Sequence, residues 1–203
     1  MTDNQRICLG LLPIENSWEL VRIGKHMVFF DGNVIRKKIH SEVGDGYYEA
    51  DVYEQTDSRT ILLPKTSKGK PRKLLPSTID NIAPTEMYFS YSEDSQRICL
   101  ANYSTQRTFF STILKGSVKP TPFNNLSKWL NEWEKETTTQ DVEEIKAFKN
   151  AKRQHCKYQE GDYFAFKVER RKWGFGRIVS RYLATSKTIR PNPHFLLSTL
   201  KAK

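Results

Sequence analysis

Residues 158–179, YQEGDYFAFKVERRKWGFGRIV, constrain the fold more than any other stretch of the chain. After Gly161-Asp162, the residues Phe164, Phe166 and Val168 alternate with Tyr163, Ala165 and Lys167. A period of two in aromatic and β-branched residues is the pattern of a half-buried strand, because successive strand side chains point to opposite faces. Glu169, Arg170, Arg171 and Lys172 make a charged turn, after which Trp173-Gly174-Phe175-Gly176-Arg177-Ile178-Val179 returns as a second strand. Its two glycines mark a sharp bend or the close approach of another backbone. The stretch therefore predicts the first hairpin of a small, strongly curved antiparallel sheet of SH3-like type.

Upstream, residues 1–120 read as a mainly antiparallel β domain, with strands expected at 6–12, 18–23, 26–30, 34–39, 47–53, 59–63, 86–91, 97–103 and 108–114. Asp31-Gly32-Asn33 and Ile23-Gly24-Lys25 supply turns whose Gly and Asn tolerate a positive φ. The pentapeptide Gln5-Arg6-Ile7-Cys8-Leu9 recurs as Gln96-Arg97-Ile98-Cys99-Leu100, which predicts two similar strands. Within residues 64–73, Lys65, Lys68, Lys70, Arg72 and Lys73 share the segment with two prolines and a glycine, a basic loop with no regular strand.

After Pro120 and Pro122 the period changes. Leu126, Trp129, Leu130 and Trp133 fall at i, i+3, i+4 and i+7, one apolar face of a helix over about 125–136 capped by Asn124 or Asn125. Thr137 and Gln140 have capping-box spacing before a second helix over about 140–155. The expectation is an α+β chain in three parts: a β domain over 1–120, a helical connector over 121–157 and a basic hairpin segment over 158–203.

Charge is unevenly distributed. The chain carries +10, and residues 157–203 hold eleven Lys and Arg against three Asp and Glu, a net +8. Such a field favours an acidic protein surface or a phosphate backbone. Cys8, Cys99 and Cys156 are odd in number and far apart, which suits reduced thiols. His155 and Cys156 would point about 100° apart on a helix, so no shared metal or nucleophile pair is expected of them. The absence of a long apolar run and of a leader-like start predicts a cytoplasmic protein without a membrane span. No nucleotide loop, zinc motif or nucleophile elbow occurs, and Gly174-Phe175-Gly176 lacks the third glycine and helix start of a nucleotide fingerprint. A non-enzyme without cofactor or metal is expected. Asp45, Glu49 and Asp51 could be imagined as metal ligands, but strand alternation is expected to turn Glu49 and Asp51 toward water.

The pattern of Gly161, Asp162, Phe164, Ala165, Phe166, Trp173, Gly174, Phe175, Gly176, Arg177 and Val179 resembles the opening of the immunity protein 26 family, bacterial proteins encoded beside polymorphic toxins. The resemblance implies a cytoplasmic protein that binds and neutralises a cognate toxin. Partner contacts would then come from Lys167, Arg170, Arg171, Lys172, Trp173, Phe175, Arg177 and Arg181, aromatics anchoring and cations steering. A +8 segment fits poorly over the basic cleft of a nuclease, so a non-nuclease target, or docking away from the active site, is expected. The same basic and aromatic residues equally suit nucleic-acid binding, with charge on phosphates and rings on bases.

Overall fold

The computed structural model describes residues 1–114, 123–152, 157–180 and 194–198. Arg181, the pair His155-Cys156 and the prolines at 120, 122, 191 and 193 lie outside them. The chain has the expected α+β character, mainly antiparallel, and divides into two compact units: residues 1–109 with 113–153, and 110–112 with 154–203.

The first unit opens on a helix, α1 (Asp3–Cys8), where a strand is expected from residue 6. The reason is local: Thr2 caps the helix in a reciprocal capping box with Gln5, and Asp3 lies at the positive end of the helix dipole. The repeated pentapeptide thus adopts two structures, since residues 97–100 of its second copy lie in a strand. A meander follows: β1 (Glu19–Ile23), β2 (His26–Asp31), β3 (Val34–Glu42) and β4 (Gly46–Asp57). The short β5 (Ile61–Leu62) and β6 (Arg72–Lys73) form a side hairpin on β4. Arg72 and Lys73 are therefore paired strand residues, because β5 offers its free edge, and only the segment before them is turn. Helix α2 (Pro76–Asp80) leads to β7 (Met87–Ser92), β8 (Arg97–Asn102) and β9 (Arg107–Ile113), which complete the sheet order β1-β2-β3-β4-β7-β8-β9.

Strand alternation splits the sheet's residues between two apolar layers. Val28, Phe30, Ile35, Ala50 and Val52 pack on one side with Ile79 and Ile82, while Trp18, Phe29 and Ile39 pack on the other with Leu12 and Ile14. Helices α3 (Asn124–Glu136) and α4 (Thr139–Asn150) belong to this unit rather than to a separate connector. The expected face of α3 forms: Leu126, Leu130 and Trp133 are buried, Trp129 stacks on Phe89 at 5.9 Å, and the Trp133 indole donates to the Cys8 carbonyl at 2.9 Å. Helix α3 lacks the expected asparagine cap; Phe123 precedes it in a left-handed conformation. Helix α4 is capped one residue later than expected, by Thr138 with Asp141. The Asp141 carboxylate accepts from the Thr138 amide at 2.8 Å.

The second unit contains the expected hairpin, β10 (Tyr163–Glu169) and β11 (Lys172–Ser180), with β12 (His194–Ser198) added antiparallel to β11. Register shifts between Lys167 and Glu169 and between Ile178 and Ser180 mark bulges in the two ladders, the usual device for curving a small sheet.

Candidate functional site

The hairpin begins at Gly161, whose φ of 96° lies in the left-handed region, so a side chain there would be strained. The Asp162 carboxylate accepts from the Gln159 amide at 2.7 Å, closing the turn, and the Gly161 amide reaches the Ile178 carbonyl at 2.8 Å. Gly-Asp is thus the clasp that sets where the first strand starts. From there the register pairs Tyr163 with Arg177, Ala165 with Phe175 and Lys167 with Trp173. These six residues share one face. On the opposite face Phe164 lies across from Gly176, and Phe166 across from Gly174.

The two faces differ in exposure. Gly174, Gly176 and Ile178 are buried, whereas Tyr163 is 76% exposed, Trp173 49% and Phe175 43%. Lys167 Nζ lies 5.6 Å from the centre of the Trp173 ring, and the Arg177 guanidinium 5.6 Å from that of Tyr163. Arg177 Nε also donates to the Gly161 carbonyl at 3.2 Å, which anchors its base while the side chain remains exposed. The face is a lattice of exposed aromatics and cations in alternation. An isolated exposed aromatic needs no explanation, but here three lie side by side on one strand pair.

Of the residues expected to bind a partner, Lys167, Trp173, Phe175 and Arg177 come together on this face, and Arg171 and Lys172 are exposed at the hairpin tip. Arg170 is a correction: it is 9% exposed, because β10 runs through Glu169 and β11 starts at Lys172, leaving a tight two-residue turn that turns this side chain inward. Tyr163, the most exposed of the aromatics, was not among the expected contacts, although its shared parity with Lys167 is visible in the alternation itself. The two glycines are also corrected. Neither has a positive φ, so no glycine-only backbone conformation is involved. A Cβ on Gly174 would meet the Phe166 ring at 2.5 Å, and one on Gly176 the Phe164 ring at 2.3 Å. The glycines make room for cross-strand rings rather than for a bend.

In the first unit, Lys65, Lys68, Lys70 and Lys73 are exposed and Arg72 is half-buried. The Thr66 hydroxyl and amide close a tight turn on Lys70, which holds the basic loop in shape.

Glu49 and Asp51 overturn the expectation that they face water: they are 0% and 2% exposed. Their face of β4 is covered by the N-terminal segment, which supplies its own charges. Arg6 Nε donates to Glu49 at 2.8 Å, Lys37 Nζ lies 2.8 Å from Glu49 and 2.6 Å from Asp51, and the Leu12 amide donates to Asp51 at 2.9 Å. The Tyr47 hydroxyl donates to Glu49 as well. Burial pushes the Glu49 carboxyl up, but the Lys37 and Arg6 charges outweigh it and hold the carboxyl below its ordinary range. For Asp51, burial outweighs Lys37 and the Leu12 amide and the carboxyl is pushed up. With every oxygen engaged and no opening to solvent, the cluster pins α1 and the following segment to the sheet.

Compared with protein families, with characterised proteins and with solved structures, the chain matches none.

Proposed function

We propose that the protein is an immunity protein, which binds a cognate bacterial toxin through the outward face of the β10–β11 hairpin. One observation carries this reading: Tyr163, Trp173 and Phe175 stand exposed on one face, interleaved with Lys167 and Arg177. Aromatic and arginine side chains dominate the energetics of tight protein interfaces, since they bury large areas with few rotatable bonds and satisfy polar tips at the rim. The net +8 of residues 157–203 selects an acidic toxin surface. The resemblance of Gly161–Val179 to immunity protein 26 supports the choice of partner class.

Nucleic-acid binding is the second reading, favoured by the same alternation of rings and cations. The cation placement counts against it, because Lys167 and Arg177 already cover one face of the Trp173 and Tyr163 rings and leave less ring surface for a stacking base.

The test is kinetic, with the purified product of a toxin-like gene sought directly upstream of the one that encodes this chain. Charges at the tip accelerate encounter, so Arg171→Glu with Lys172→Glu slows association far more than it speeds dissociation, while Trp173→Ala acts mainly on dissociation. Failure to form a complex at micromolar concentration refutes the immunity reading. If single-stranded nucleic acid binds instead, with affinity falling steeply as salt rises, the second reading replaces it.

A further inference from the structure

Independently of the hairpin, the first unit holds a cavity of ≈ 430 Å³ at the end of its sheet, beside the segment that follows α2. That is within the range of small-molecule sites. Four of the residues lining it are His26 on β2, Lys38 and His40 on β3, and Tyr48 on β4. They converge because His26 pairs with His40 and His40 with Tyr48 in the ladders, while Lys38 is two residues from His40 and so on the same face.

Lys38 is the unusual member. It is buried, and its ammonium donates to the carbonyls of Ile79 at 3.0 Å and Asp80 at 3.2 Å. An ammonium has three donors, and these carbonyls take two. No carboxylate among the described residues forms an ion pair with it. The nearby carboxylates have direct partners of their own, Asp80 with His26 at 2.8 Å and Asp45 with His40 at 2.7 Å and Lys25 at 3.6 Å, although the Asp80 charge still acts on the Lys38 ammonium. Burial pushes the Lys38 ammonium below its ordinary range, and the opposing pull of the Asp80 carboxylate does not offset it.

We propose that this cavity binds a small organic anion, its phosphate or carboxylate group seated at Lys38 Nζ with Lys25 at the mouth, and its apolar part against Pro84 and Tyr103, which also line it. The anion meets the third donor of an ammonium that has two carbonyl acceptors and no direct ion pair among the described residues, in surroundings where a charge-assisted bond is stronger than in water. A divalent cation at the neighbouring His40, Glu42 and Asp45 is disfavoured by the Lys25 ammonium already beside Asp45.

The experiment titrates the full chain with phenyl phosphate, benzoate and the uncharged benzyl alcohol, following the imidazole signals of His26 and His40 by NMR and the heat by calorimetry. At least one anion is expected to saturate both imidazole signals with a common Kd near or below about 1 mM, with benzyl alcohol much weaker. Saturation by one anion alone, or by both, assigns the headgroup. Lys38→Met, which keeps the buried stem and removes the charge, is expected to weaken binding roughly tenfold or more. The proposal is overturned if neither anion saturates, if benzyl alcohol binds as tightly, or if heat appears while both imidazole signals stay still, since that places the anion elsewhere on a basic surface. Unchanged affinity in a folded Lys38→Met overturns it too. Should that variant not fold, Lys25→Ala takes its place, with weaker binding expected and unchanged affinity overturning the proposal.

Discussion

Alanine at Gly174 or Gly176 tests whether the hairpin's outward face is held open by the packing behind it. The new Cβ would lie 2.5 Å from Cζ of Phe166 in the first case and 2.3 Å from Cζ of Phe164 in the second. Carbon atoms rest about 3.5–4.0 Å apart, so each ring must shift by more than an ångström or the strand pair must part. Two effects of opposite sign compete. Neither glycine has a positive φ, so alanine suits the backbone and, by restricting the unfolded chain, stabilises by about 0.4–1 kcal/mol. Overpacking costs about 1–3 kcal/mol and wins. Each variant should therefore lose about 1.3 kcal/mol at the centres of these two ranges, and at most about 2.6 kcal/mol. The loss should show as faster amide hydrogen exchange in β10 and β11, where local opening is read directly. Shrinking the opposing ring must relieve the clash: Gly174→Ala with Phe166→Leu should be more stable than the sum of the two single changes, with a coupling of about 0.5–3 kcal/mol. If Gly174→Ala and Gly176→Ala both leave exchange unchanged or slower, the rings do not rest on the glycines, and the assignment of Tyr163, Trp173 and Phe175 to the open face falls with them.

Lys37→Met should destabilise the first unit by about 3–5 kcal/mol at neutral pH in urea unfolding, because two buried carboxylates lose their shared cation. The deficit should shrink in acid as Asp51 takes up a proton, and a deficit independent of pH would point to lost packing instead. Because the Glu49 carboxyl is held below its ordinary 4.5 in the folded chain, its contribution is complete above that pH and is lost as pH falls through the lower folded value. Burial gives Asp51 the opposite sign, favouring the folded state in acid. Glu49→Gln should accordingly flatten the acid-side fall in stability, and an unaltered pH profile of unfolding would count against the pairing. Reversing Lys68 and Lys70 to glutamate should move stability by no more than about 0.5 kcal/mol by urea unfolding, since both are exposed and without an ion pair among the described residues.

What could be read from the sequence depended on whether the deciding interaction was local. Strand positions from β1 to β5 and from β7 to β9 and the apolar face of α3 follow from periodicity, and so does the hairpin, whose odd and even residues separate onto two faces as the alternation requires; β6 lay in a stretch expected to be a loop. Tyr163 was legible on the same ground, since only a strand of inverted parity could have hidden it while leaving Lys167 and Trp173 open. The inward turn of Arg170 was not, because a two-residue and a four-residue turn place the same arginine on different sides. The repeated pentapeptide is the clearest case of context deciding. In α1 Arg6 is buried on Glu49 while Ile7 is exposed; in β8 Arg97 is exposed while Ile98 is buried.

Those two copies also explain why Glu49 and Asp51 could not be placed from their own strand. Alternation correctly puts them on one face of β4, but the nature of that face depends on a segment some forty residues away. With the first copy as a strand, Arg6 would not have been delivered by a helix capped at Thr2, and two carboxylates side by side would belong in water. With it as a helix, Arg6 arrives over β4, Lys37 completes the pairing from β3, and the carboxylates are buried with their oxygens paired. The cap at Thr2, worth about 1 kcal/mol by itself, thus selects between two environments for Glu49 that differ by several times as much. Thr2→Ala should therefore weaken the whole buried cluster rather than fray one helix, and hydrogen exchange at the β4 amides of Glu49 and Asp51, compared with those of Tyr88 and Phe89 in β7, distinguishes the two results. Faster exchange confined to α1 would mean that the cluster holds without the cap.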